Sequence, residues 1–233
     1  MALNKPKCST KTYKMGTRPK ISEAKTLEQY RVTFENTESQ SRIASTMAEY
    51  GYDPAKVAEG KALYETTRLA FDSNQTETDE ATAAYALFET KKDQLDVIYS
   101  SHRKKAKVVF RDDSVTADKL EVSGTMPVAY VKWLETVRKF YKIAIADTDI
   151  QTKLARLKIT PDDLNAAQAL IPEVETLRSA YLKEKGESQD ATTLKDTAFA
   201  KLDTWMSEFY AVAKIAMEDN PQLLEALGLV VKN

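Results

Sequence analysis

The feature that most constrains this chain is its resemblance to itself. Residues 20–122 lie over residues 127–229 with a fixed shift of 107, and the match holds at structurally telling places. Asp53-Pro54 falls on Thr160-Pro161, and Ala106–Phe110 on Ala213–Met217. Leu27, Phe34, Ile43 and Met47 fall on Leu134, Tyr141, Ile150 and Leu154. A fixed period of this kind sets the architecture before any single element is read. Two copies of one unit are expected, meeting at Ser123-Gly124.

The unit reads as helical. Six glycines and seven prolines in 233 residues leave little punctuation, and Ala, Lys, Glu and Leu favour long helices joined by short turns. In the first copy, Thr26 and Gln29 form a capping-box pattern for a helix starting near Ser22 or Thr26 and ending before Gly51. Asp53-Pro54 opens a second helix, because proline lacks only an N–H that the first turn cannot use. The polar stretch 72–78 is expected to end it. A third helix should cover about 79–111, with apolar residues from Ala81 to Val109 spaced by three and four, and a short helix should follow at about 114–122. The second copy repeats the order. Pro172 is expected to kink or break its second helix near Ile171, with a local drift of about three residues between the copies, and Gly186 is expected to end that helix. Leu227–Val231 should pack back on the body. The expected fold is all-α: an elongated antiparallel bundle of two tandem three-helix repeats, residues 21–124 and 125–233, each followed by a short helix.

Charge is uneven. Lys5, Lys7, Lys11, Lys14, Arg18 and Lys20 fall in a segment, 1–20, without an acid, so the net −1 of the chain leaves −7 on the remainder. That segment reads as a flexible basic arm. With Arg103, Lys104 and Lys105 it forms the set of residues that could contact phosphates or another anionic surface. Its single cysteine, Cys8, excludes an intramolecular disulfide and fits a reducing compartment. With no signal-like apolar stretch at the N-terminus and no run long enough to span a bilayer, a cytoplasmic location is expected.

The chemistry-bearing residues are few. His102 is the only histidine, which excludes any site built from two. It lies on the apolar stripe and takes the place of Phe209 in the repeat, so a packed ring is the expected role and His102→Phe should be tolerated. The pairs Asp112-Asp113, Asp147/Asp149, Asp162-Asp163 and Glu218-Asp219 lack the spacing of a calcium loop. Gly60-Lys61 resembles the end of a phosphate loop but lacks its first glycine and its Ser/Thr. No catalytic, cofactor or metal residue is assigned. The expected function is a non-enzymatic helical scaffold that binds protein partners or itself. A nucleic-acid or anionic-surface accessory acting through residues 1–20 is the alternative, and an enzyme or metal protein of unfamiliar type the second.

Overall fold

The computed structural model describes residues 21–229, and these are entirely helical, with no strand among them. The helices are α1 (Glu23–Ser39), α2 (Ser41–Glu49), α3 (Pro54–Val109), α4 (Ser114–Lys119), α5 (Tyr130–Ala146), α6 (Thr148–Ala155), α7 (Pro161–Ala216) and α8 (Gln222–Ala226). None is long and apolar enough to cross a membrane.

Local chemistry explains most boundaries. The Ser22 hydroxyl accepts from Lys25 N at the head of α1, so Thr26 lies inside the helix rather than at its cap. Asp53 accepts from Lys56 N ahead of Pro54. Thr160 and Asp163 cap α7 reciprocally, the Thr160 hydroxyl accepting from Asp163 N while the carboxylate accepts from Thr160 N. Asp113 caps α4 through Thr116 N. The long helix expected to end near Tyr50 is instead divided at Gln40, whose extended backbone separates α1 from α2. Asp147 does the same between α5 and α6, accepting from Asp149 N and Ile150 N. The bend turns Ile43 and Met47, and Ile150 and Leu154, into buried positions.

The second and third helices expected in each half are one helix. α3 and α7 each run 56 residues without a break. The 72–78 stretch is polar but contains no glycine or proline, and polarity alone does not stop a helix. Thr76 and Thr78 bond back to the carbonyls of Asp72 and Asn74, and Asn74 donates to Thr192 of α7. Pro172 and Gly186 are likewise carried inside α7.

The residues form two compact units, each drawing on both long helices. One contains the described residues through Leu69 and from Ala198 onward; the other contains Ala70–Thr197. In the first, Leu27, Phe34, Ile43 and Met47 are buried with Leu202, Met206 and Phe209. The end of α8 and the chain just after it meet α1: Thr33, Asn36 and Gln29 donate to the carbonyls of Leu227, Ala226 and Gly228, while residues 230 and 231 of the expected tail lie outside the described residues. In the second, Leu95, Tyr99 and Phe110 of α3 pack with Trp133, Val137, Phe140 and Tyr141 of α5, with Leu154 of α6 and with Leu164 and Ile171 of α7.

Candidate functional site

The second unit carries an open groove of about 490 Å³ between α3 and α7. Gln94, Val97, Ile98, Ser101 and His102 form one wall; Asp163, Ala166, Ala167 and Leu170 form the other. The spacing of three and four on each helix is what places these residues on one face. Val97 is 71% exposed although apolar, and the two alanines keep the opposite wall low.

His102 sits at the inner end, 8% exposed. Its Nδ1 lies 3.1 Å from the Tyr141 hydroxyl. Burial pushes the Tyr141 phenol well above its ordinary range, so it stays protonated and shares a hydrogen bond with Nδ1. The imidazole is held below the ordinary histidine range, first by burial and then by Lys105, with Asp163 opposing. At neutral pH the groove therefore presents a neutral, oriented ring. Asp163 lies below the usual carboxylate range chiefly through its hydrogen bonds from Thr160, so it is an ionised capping group.

The other sequence candidates lie apart. Lys5, Lys7, Lys11, Lys14, Arg18, Lys20 and Cys8 are outside the described residues. Arg103 donates to the carbonyls of Ser123 and Gly124, and Lys107 to that of Gly124, so both cations fasten the turn between α4 and α5. Lys104 and Lys105 follow Arg103 at about 100° per residue around α3 and do not share its face. Gly60, which resembled part of a phosphate loop, has a packing role: a Cβ there would lie 2.4 Å from Trp205 Cη2. Lys61 pairs with Glu38.

One constellation was not read from the sequence. Glu77 and Glu80 of α3 meet Glu184 of α7 with carboxylate oxygens within 4.8 Å of one another. Oxygen donors of this kind suit a hard cation, although Lys183 already pairs with Glu184 at 3.1 Å. The i, i+3 spacing of Glu77 and Glu80 was visible; their approach to a residue more than a hundred positions later was not.

Compared with models of known protein families, with curated proteins and with solved structures, the chain matches none.

Proposed function

We propose that this chain is a non-enzymatic interaction protein, made of two copies of one helical unit, that receives an amphipathic helix of a partner protein in the α3–α7 groove. Support for the duplication comes from the element positions. A shift of 107 carries the first residues of α1, α2 and α3 onto those of α5, α6 and α7. It also carries Gly51 onto Lys158 and Glu121 onto Gly228, and these four residues all have positive φ.

The observation that carries the binding role is the exposed Val97 wall facing the alanine wall of α7. Small residues let a third helix approach to the usual interaxial distance of about 8–10 Å, and a groove of this kind takes its ligand through anchors at i, i+3, i+4 and i+7. Such a ligand would turn small or branched apolar residues inward and a hydroxyl or amide toward His102.

The test is affinity capture from native lysate with wild type, with Val97→Glu/Ala166→Glu and with residues 1–20 deleted, each at low and high salt. Circular dichroism checks that the exposed substitutions leave the fold intact. The expected result is a protein retained without the arm and at high salt but lost from the groove variant. Recovery of nucleic acid that disappears with the arm or with salt would transfer the function to residues 1–20.

A further inference from the structure

A second surface, away from the groove, carries a pattern that appears only when the two copies are compared. In the Ala70–Thr197 unit, the C-terminal ends of α3 and α6 enclose a pocket of about 410 Å³ lined by Val108, Val109, Arg111, Asp112, Arg156 and Leu157. Val108 is 58% exposed, and Arg111 and Arg156 are exposed. The Arg156 guanidinium has no ion-pair partner among the described residues. Arg111 meets only its neighbour Asp112, at 3.1 Å, in a pair that is largely in water and contributes little. This pocket thus presents two available guanidinium groups around an apolar wall.

The corresponding positions of the other unit reverse the charge of both arginines, while Asp112 corresponds to Asp219 and Val109 to Ala216. Val108 corresponds to Ile215, which is 62% exposed, and Leu157 to Tyr50, 49% exposed. Arg111 corresponds to Glu218 and Arg156 to Glu49. Both carboxylates are exposed and have no ion-pair partner among the described residues. By this correspondence, exposed apolar residues stand beside opposite charges at Arg111/Glu218 and Arg156/Glu49, with Asp112 and Asp219 acidic in both sets.

We infer that this protein self-associates head to tail, the Glu49/Glu218 surface of one copy docking on the Arg111/Arg156 pocket of another. Arginine's fork accepts a carboxylate in a bidentate pair, and Ile215 and Tyr50 supply apolar area against Val108 and Leu157. The contact is heterologous, so it forms a closed ring where the rotation closes and an open chain where it does not. A contact this small belongs with weak interfaces, below about 1,200 Å², and its charges make it sensitive to salt. The inference goes beyond the groove reading and uses none of the groove residues.

A charge-swap series read by sedimentation velocity tests it, over a range of protein concentrations at about 0.01 M and about 1 M salt, where screening lengths are roughly 30 and 3 Å. Wild type is expected to associate at low salt and to dissociate at high salt. Arg111→Glu/Arg156→Glu and Glu49→Arg/Glu218→Arg should each weaken association about tenfold or more, because each makes both surfaces the same sign. An equimolar mixture of the two variants should regain it, since each then offers the complement of the other. The substituted side chains are all exposed, and thermal melts monitored by circular dichroism verify folding. A strictly monomeric wild type at low salt, or variants that associate as wild type does, overturns the inference. So does a mixture that stays dissociated. Val97→Glu/Ala166→Glu is expected to leave self-association unchanged, which separates failure here from failure of the groove reading.

Discussion

At the scale of single residues, two packed pairs show what the self-similarity of the sequence reveals and what it hides. Trp205 packs against Gly60, and the corresponding positions in the other copy hold Ile98 and Ala167. A large residue faces glycine in one unit, and a smaller one faces alanine in the other. Gly60→Ala should therefore destabilise the protein although alanine is the better helix former by about 1 kcal/mol. Overpacking costs about 1–3 kcal/mol, and the added carbon meets an indole ring rather than the end of a flexible chain. Urea unfolding is expected to show a net loss, which should disappear when Gly60→Ala is made in a Trp205→Ile background and compared with Trp205→Ile alone. A Gly60→Ala variant more stable than wild type would refute this packing account. The second pair is His102 and Tyr141. The repeat showed that a ring belongs at 102, but not that its partner, 39 residues away, would be a phenol hydrogen-bonded to it. His102→Phe thus leaves a buried hydroxyl without its hydrogen-bond partner, at about 1–3 kcal/mol, so the expected tolerance holds only when Tyr141→Phe is added. His102 is also held neutral in the fold. Protons then bind the unfolded chain more readily, so stability is complete at neutral pH and falls as pH drops through the ordinary histidine value of about 6.5. With a single histidine in the chain, that slope in unfolding midpoint should vanish in His102→Phe/Tyr141→Phe.

At the scale of elements, the sequence announced helix starts better than helix ends. Asp53-Pro54 and Thr160-Pro161 carry both a cap and a proline at the first helical position, and α3 and α7 begin there. The break at Gln40 carries no such signal, and that at Asp147 only a cap without a proline; Ile43 and Ile150, three residues beyond them, are buried. Conversely, Pro172 and Gly186 looked like terminators but lie inside α7, where the remaining helix outweighs one weak position. The groove was legible only in part: the stripe containing His102 was evident, whereas the facing Ala166 and Leu170 belong to the other half of the sequence. The ends of α2 and α6 give a direct comparison. Gly51 has φ +88°, and the corresponding Lys158 has φ +56°, with the same amide-to-carbonyl bond closing each turn, from Tyr52 N to Met47 O and from Ile159 N to Leu154 O. A side chain in this left-handed region costs roughly 1 kcal/mol relative to glycine. Lys158→Gly is therefore expected to stabilise the protein by about that amount in urea unfolding, and Gly51→Lys to destabilise it similarly. Equal stabilities for all three proteins would show that the turns are not strained.

At the scale of the whole molecule, the two self-similar stretches of sequence follow one another, but the compact units take their residues alternately. The unit begun by α1 and α2 is completed by residues from Ala198 onward, and the unit containing α5 and α6 includes most of α3. No sequence pattern announces this, because hydrophobic periodicity marks which face of a helix is buried and not which helix buries it. A cut at Gly124 is consequently a stringent probe. Residues 1–124 alone lack the carbonyls of Ala226 and Leu227 that Asn36 and Thr33 bond, and lack Trp205, which packs on Phe34 with ring centres 5.5 Å apart. Neither fragment should fold cooperatively as a monomer. Mixing them should restore the helical circular dichroism signal and give one complex containing one of each. The pairing should also be selective. A complex of two copies of 125–233 would bring Trp205 against Ala167, where the methyl occupies the space that Gly60 leaves open. A complex of two copies of 1–124 would set Ile98 against Gly60 and leave a cavity, at about 24 cal/mol per Å³. Both homotypic complexes are penalised, one by overlap and one by void, while the mixed complex satisfies both contacts. If Ala167→Gly in the second fragment lets it pair with itself, the Trp205 contact sets this choice; if it does not, selectivity lies in the helix-end carbonyls.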